Sequence, residues 1–182
     1  MHVLQTPRLL LEPQVAAHAE ELFAALSDPA IYEYENQPPR SLEWLRERLA
    51  KLETRQSPDG QERWLNWVIG PRGGNLIGYV QATVFDDGQA MIAYELASSH
   101  WGRGLAGEAA GAMLAELRER YKVQIAMAVF KKRNQRSRRL LERLDFVPAT
   151  QQQRAERHVG SDEDLMVREI GAGNTRNTGS DT

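Results

Sequence analysis

The chain has 182 residues, 41% hydrophobic and 26% charged, which fits one globular domain with a proper core. Its net charge of -2 gives no bulk reason to bind nucleic acid, and the absence of cysteine removes disulfides, thiolate metal sites and a cysteine nucleophile. The four histidines lack metal-ligand spacing, no apolar run could span a membrane, and Met1-His2-Val3-Leu4 opens no signal peptide, so a metal-free cytoplasmic protein is expected.

Thr6 to Pro13 reads as a first strand. His18 to Ser27 is an amphipathic helix with Leu22, Phe23 and Leu26 on one face, stopped by Asp28-Pro29. Residues 31–39 are polar, aromatic and irregular. A loop between two helices can close over a cleft, so this stretch reads either as an acceptor-site wall or as a solvated connector. Ser41 caps a helix to about Arg55, with Leu42, Leu45, Leu49 and Leu52 as its stripe. Arg63 to Ile69, Leu76 to Phe85 and Gln89 to Leu96 form an antiparallel set joined by Pro71-Arg72-Gly73-Gly74 and Asp86-Asp87-Gly88. Trp64 and Trp67 are expected to be packing residues.

Leu105 to Tyr121 is a helix with Ala109, Met113, Leu114 and Leu117 inward, and Val123 to Val129 is a buried strand. Strand, helix and strand imply parallel pairing of 123–129 with 89–96 through a right-handed crossover. Phe146 to Gln153 and Asp164 to Ile170 read as a closing hairpin, with Gln151 to Ser161 polar and mobile. The domain is expected to end at 170, leaving 171–182 as a disordered tail. The basic run 131–139 reads as a solvated helix face or a phosphate contact. A nucleic-acid site has no interleaved aromatic residue to support it. His100 and His158 read as surface residues.

Between the strand 89–96 and the helix 105–121 stands Trp101-Gly102-Arg103-Gly104-Leu105-Ala106-Gly107-Glu108-Ala109. The first N–H groups of a helix lack intrahelical partners and carry partial positive charge. Glycines let the backbone approach an anion, so a phosphate or pyrophosphate is the expected guest, with Arg103 inside the turn. By spacing alone, an ordinary strand-to-helix turn fits as well. A dinucleotide fingerprint fits poorly because no acid closes the next strand at Phe130-Lys131-Lys132, and no Gly-Lys-Ser/Thr marks a Walker loop.

This stretch resembles the acetyl-CoA motif of the GNAT N-acetyltransferase superfamily, Gln/Arg-x-x-Gly-x-Gly/Ala, with Ser99 at the Gln/Arg position. Glu108-Ala109 and the opening Thr6-Pro7-Arg8-Leu9-Leu10-Leu11 resemble the RimJ/RimL-type branch of ribosomal-protein N-terminal acetyltransferases, with Glu12 where that branch usually has Arg. Asn134, Ser137, Leu141, Glu142 and Phe146 match the family helix Asn-x-x-Ser-x-x-x-Leu-Glu-x-x-Gly-Phe, and Asp145 replaces its Gly. A left-handed helix end tolerates Asp, so that boundary should hold. The resemblance covers about residues 6–170.

It implies an α/β (α+β) fold: a mixed, mostly antiparallel sheet with a parallel central strand pair and helices on both faces. It implies acetyl transfer from acetyl-CoA to a primary amine, on a protein N-terminus or a small molecule. Gly102, Arg103, Gly104, Leu105, Ala106 and Gly107 would hold the phosphates, Asn134 and Ser137 the pantetheine arm, and the Leu96 backbone the thioester oxygen. Such chemistry needs a base, an oxyanion donor and a proton for the thiolate. Glu95 is the candidate base: it is the one carboxylate within 89–96, near the strand end, with Tyr94 on the other face. A water or the 31–39 loop is the alternative. Relatives often place Glu where Met91 stands. Many carry a Tyr acid where Leu141 stands, which leaves proton delivery to another source. Without cysteine, transfer should be direct, in a ternary complex. The Leu141 and Ser99 departures also fit a non-catalytic CoA-binding module. The expected partners are acetyl-CoA and an amine, with no nucleic acid or membrane, for a monomer or homodimer.

Overall fold

The computed structural model describes residues 1–34 and 36–171; the tail expected over 172–182 lies outside the described residues. The chain runs β1 (Leu4–Gln5), β2 (Leu9–Pro13), α1 (Ala19–Leu26), α2 (Leu42–Leu52), β3 (Glu62–Pro71), β4 (Gly78–Phe85) and β5 (Gln89–Leu96). It continues through α3 (Leu105–Tyr121), β6 (Ile125–Lys131), α4 (Gln135–Arg143), β7 (Val147–Pro148), α5 (Gln151–Glu156) and β8 (Glu163–Glu169). The strands form one eight-stranded sheet in the order β1-β2-β3-β4-β5-β6-β8-β7. β5 and β6 pair parallel; the other neighbours pair antiparallel. Among the described residues no helix is long and apolar enough to cross a membrane.

Strand alternation sorts the core onto two faces. Leu65, Trp67, Ile69, Val80, Ala82, Ala90 and Ile92 face Ala109, Met113 and Leu117 of α3 and Leu141 of α4. On the other face Val68, with half-buried Tyr79, meets Ala19, Leu22 and Leu26 of α1 and Leu45 and Leu49 of α2. Helices therefore cover both faces of a mostly antiparallel sheet, the arrangement that the sequence implied. Trp67 packs as expected, with no exposed surface. Local chemistry fixes the helix ends. Ser41 Oγ accepts the Trp44 N–H at 3.1 Å, Asn134 Oδ1 accepts the Ser137 N–H at 3.0 Å, and Asp145 takes the left-handed conformation at φ 57°.

Three readings need correction. The strand expected over 6–13 begins at Leu9, because the Thr6 hydroxyl accepts the Leu9 N–H at 2.9 Å and turns the chain. Leu4–Gln5 then folds back as the edge. The hairpin arm expected over 146–153 ends at Pro148, and 151–156 is helical rather than irregular. Thr150 and Gln153 form a capping box there, which outweighs the segment's lack of apolar periodicity. The strand expected over 123–129 runs instead over Ile125–Lys131, and exposed Gln124 precedes it.

The sheet holds one break in pairing. β5 and β6 pair only at Gln89–Ile125, Ala90–Ala126 and Met91–Met127. Beyond Met91, β5 stays paired with β4 as far as Leu96–Gly78, and β6 stays with β8 as far as Lys131–Glu163. Two firmly paired half-sheets thus part at the centre. Gly78 sets how closely β4 approaches the end of β5: a Cβ there would lie 2.0 Å from the Glu95 carbonyl oxygen and 2.8 Å from the Leu96 Cα. Both are backbone atoms that no side-chain rotation can clear. We expect Gly78→Ala to destabilise the fold by about 1–3 kcal/mol, the usual cost of overpacking, measured by urea unfolding. An unchanged midpoint would show that β4 and β5 separate freely here.

Candidate active site

The parted strands open into a cavity of about 540 Å³ that reaches from one sheet face to the other. On the α3–α4 side it is lined by Tyr94, Trp101, Ala106, Asn134, Ser137 and Leu140. On the α1–α2 side it is lined by Tyr32, Asn36, Arg48, Tyr79 and Glu95. Residues from the 31–39 segment therefore form a wall, as one of the two readings of that loop expected. Asp28, which stops α1, anchors this wall. Its carboxylate accepts the Ala30 N–H at 3.0 Å and the Ser98 N–H at 2.7 Å, linking the loop to the chain just beyond β5.

Glu95 lies on the α1–α2 face. Burial pushes its pKa up, opposed by hydrogen bonds from Asn36 and Tyr79 and by the Arg48 charge; the net shift is upward. The Asn36 Nδ2 donates to Glu95 Oε1 at 2.6 Å. Burial likewise pushes the Tyr79 hydroxyl well above its ordinary value, as do the neighbouring Glu95 charge and their hydrogen bond, so Tyr79 stays protonated and donates. Leu96 is placed differently. The Ala97 N–H donates to the Ile77 carbonyl at 2.9 Å, on the β4 side. Alternation along a strand then turns the Leu96 N–H to the opposite edge, into the gap. The Leu96 carbonyl is held by Trp101 Nε1 at 2.8 Å.

Trp101 and Ala106 of the glycine-turn stretch line the cavity at its α3 end, whereas Gly102, Arg103, Gly104, Leu105 and Gly107 are not among its lining residues. Gly102 and Gly104 adopt φ 73° and 75°, which β-carbon-bearing residues reach only with strain. A Cβ on Gly102 or Gly107 would meet nothing within 4 Å, so the turn presents open backbone at the start of α3. Arg103 is exposed, Leu105 and Ala106 are half-buried, and Ser99 is exposed with its hydroxyl 3.0 Å from His100 Nδ1. Asn134 both caps α4 and lines the cavity. The Ser137 hydroxyl lies 2.8 Å from the Tyr94 hydroxyl, across the gap from β5 to α4. Leu141 is fully buried in the core, and Leu140 is the leucine at the cavity wall. Exposed His158 stands at φ 51°, away from the cavity lining.

Sequence reasoning did not single out Tyr79 or Trp101 as site residues, reached Asn36 only as part of the 31–39 loop, and placed Tyr94 only on the strand face away from Glu95. Tyr79 and Tyr94 each look like core residues in an alternating strand, and only the register and the parting reveal that they line a cavity. The basic run 131–139 is largely engaged. Lys131 pairs with Asp162 and Glu163 at 3.1 and 2.8 Å, Arg138 pairs with Asp164, and the Arg136 guanidinium lies 3.7 Å from the centre of the Trp101 ring.

The acetyltransferase (GNAT) domain family matches residues 8–147. The chain belongs to the GNAT acetyltransferase family. That membership makes it an N-acetyltransferase that uses acetyl-CoA. No functionally curated protein matches the sequence. Among solved structures, the fold is similar to RimL, a ribosomal L7/L12 alpha-N-protein acetyltransferase in complex with coenzyme A (17% identity, TM-score 0.78, covering 93% of this chain and 98% of that one). It is also similar to the ribosomal-protein-S5-alanine acetyltransferase of Vibrio fischeri (16%, TM-score 0.74, covering 93% and 97%). A GNAT-family acetyltransferase of Bordetella pertussis matches at 26% identity, with TM-score 0.69, covering 92% and 99%.

Two motif fragments of this GNAT chain are partners. Glu108, in the first turn of α3, accepts the Thr6 hydroxyl at 2.5 Å, the Arg8 N–H at 2.9 Å and the Arg8 Nε at 2.6 Å. Arg8 Nη1 in turn donates to the Arg103 carbonyl at 2.8 Å. The start of β2 thereby clamps the glycine turn. Burial pushes the Glu108 pKa up, but these hydrogen bonds and the Arg8 charge outweigh it and hold it below the ordinary range. Because Arg8 is half exposed, its charge adds little beyond the hydrogen bonds. We expect Glu108→Ala to cost about 1–3 kcal/mol in urea unfolding at neutral pH. A lowered carboxyl pKa stabilises above the unfolded value and loses that effect as pH falls through the folded one. The gap between wild type and variant should therefore close on acidification. A gap that stays constant down to acid pH would show that the carboxylate charge contributes nothing.

Proposed function

We propose that the chain acetylates a primary amine by direct transfer in a ternary complex, as a cytoplasmic enzyme of the RimJ/RimL-type branch. The observation that carries this is a single cavity crossing the sheet, with Glu95 on one face and, on the other, Trp101 and Ala106 of the glycine-turn stretch with the α4 N-terminus. Gly102, Arg103, Gly104, Leu105, Ala106 and Gly107 cradle the pyrophosphate with open backbone and the start of α3. Asn134 and Ser137 border the pantetheine arm. Glu95 accepts a proton from the amine, whose nitrogen bonds to the thioester carbon. The Leu96 N–H receives the oxyanion. As the C–S bond breaks, Tyr94 gives its hydroxyl proton to the departing sulfur and regains one from solvent through Ser137. Leu140 and Leu141 of α4 are apolar and offer no proton, and the Tyr94 hydroxyl lines the same side of the cavity.

The non-catalytic alternative drew on Ser99 and on the missing tyrosine of α4. Tyr94, hydrogen-bonded to α4 from β5, supports the catalytic reading against the second of these by offering a hydroxyl on that side of the cavity.

Two experiments test the reading. Gly104→Asp puts a carboxylate and a side chain in the path of the pyrophosphate. We expect calorimetric titration with acetyl-CoA to show no binding while circular dichroism stays native, and unchanged affinity would overturn the phosphate assignment. The second is the pH profile of kcat/KM with an amine panel. Glu95 works only when ionised, so activity should rise as pH climbs through its raised pKa. Glu95→Gln should remove that limb and lower neutral-pH turnover at least about tenfold, recovering at high pH as the amine loses its own proton. Tyr94→Phe removes the proposed acid and should lower turnover across the profile. Wild-type profiles in both variants would assign both residues to structure alone.

A further inference from the structure

The cavity does not end at Glu95. A second recess of about 350 Å³ opens beside it under α2, and the two share Arg48, Leu52, Asn66 and Gln81. Together they make a continuous groove floored by one face of the sheet. Strand register fixes the order of that floor. Tyr79 stands opposite Glu95, Gln81 opposite Ala93 and Asn66, and Thr83 opposite Met91 and Trp64. From the Glu95 row to the Thr83 row is four residues along β4, about 13 Å at the rise of a strand.

The other wall is α2. Leu45 and Leu49 bury against α1 and Val68. Trp44, Arg48 and Lys51 follow at helical spacing along the edge that overlooks the groove, the Arg48 guanidinium 5.6 Å from the centre of the Trp44 ring. Along the groove the charges fall in order: the Glu95 carboxylate at the gap, Arg48 where the recesses meet, and Lys51 in the far recess. Among the described residues, those lining the far recess include no acid. An occupant matching this order carries an ammonium at its inner end and an anion farther out.

We propose that the acceptor is the N-terminus of a peptide or protein with an acidic side chain within its first four residues, the α-amine at Glu95 and the acid on Arg48 and Lys51. This rests on the acetyl-transfer reading above and names its acceptor. Length selects a peptide over a free amino acid. A free amino acid holds its carboxylate beside its amine: it can reach Arg48, whose charge already acts on Glu95, but it cannot span to Lys51 in the far recess. An extended peptide advances about 3.3–3.6 Å per residue, so its second to fourth residues cover the distance. Neutral Asn66, Gln81 and Thr83 offer hydrogen bonds along the way, and Trp64 adds apolar surface.

The test uses tetrapeptides beginning with Ser and carrying Asp at the second, third or fourth position, against Asn and Lys counterparts and free aspartate and glutamate. We expect kcat/KM for the best Asp peptide to exceed its Asn counterpart about three- to tenfold, the scale of a partly exposed charge-assisted pair, with Lys lowest. Added salt should shrink the preference. Arg48→Glu combined with Lys51→Glu should invert the order and favour Lys. Equal kcat/KM across the series, or free amino acids outrunning the peptides, would overturn the inference. Fluorescence anisotropy of labelled peptides on the CoA-bound protein reads the same order without turnover. Charge-ordered binding without transfer would fault the acetyl-transfer reading alone. Transfer to every peptide alike, with charge-blind binding, would fault this inference alone.

Discussion

The parting of β5 from β6 after Met91 is the constraint on which the site depends. A fully paired sheet would separate α1 and α2 from α3 and α4, and no cavity could cross it. Each parted strand leaves backbone groups facing the gap, and a buried polar group without a partner is costly. The molecule meets that cost locally. Trp101 takes the Leu96 carbonyl, and Tyr94 reaches Ser137 across the opening. The Leu96 N–H is turned into the same gap. Hydrogen bonds beside and across the break therefore help to hold it open.

Two faces of one strand divide the work. Because successive side chains of β5 alternate, Glu95 reaches the α1–α2 side and Tyr94 the α3–α4 side, with the Leu96 N–H between them at the strand edge. Three adjacent residues can thus address three parts of one substrate complex. Gly78 secures this end of β5 by letting β4 approach closer than any side chain would allow. Thr6, Arg8 and Glu108 do the same for the glycine turn, tying the start of β2 to the start of α3.

The sequence discloses some of this and conceals the rest for physical reasons. Gln89 to Leu96 and Leu105 to Tyr121 are legible to the residue because alternation, helical periodicity and the glycines between them agree. Helix α5 was missed because Gln151 to Glu156 has no apolar stripe; the Thr150–Gln153 capping box was the available signal. Both members of the Arg8–Glu108 pair stand in recognisable fragments. Their partnership spans a hundred positions and emerges only when β2 and α3 pack together. Glu95 was legible as an acid in an apolar strand. Tyr79 and Asn36, which bracket it, were not, since one arrives by register and the other from an irregular loop.

Enclosing Glu95 carries a thermodynamic consequence. Its carboxyl is harder to ionise folded than unfolded, so at neutral pH the charged form opposes folding. A glutamine could make similar hydrogen bonds without that cost. The Asn36, Tyr79 and Arg48 interactions offset the penalty only in part, since the net shift stays upward. A group placed for stability alone would be expected to sit lower, as Glu108 does. The two carboxylates thus contrast within one chain. Glu108 is held ionised by three donors where it clamps the backbone, and Glu95 is kept reluctant to ionise in the wall of the cavity. That difference in environment, rather than in residue type, separates the structural acid from the candidate base.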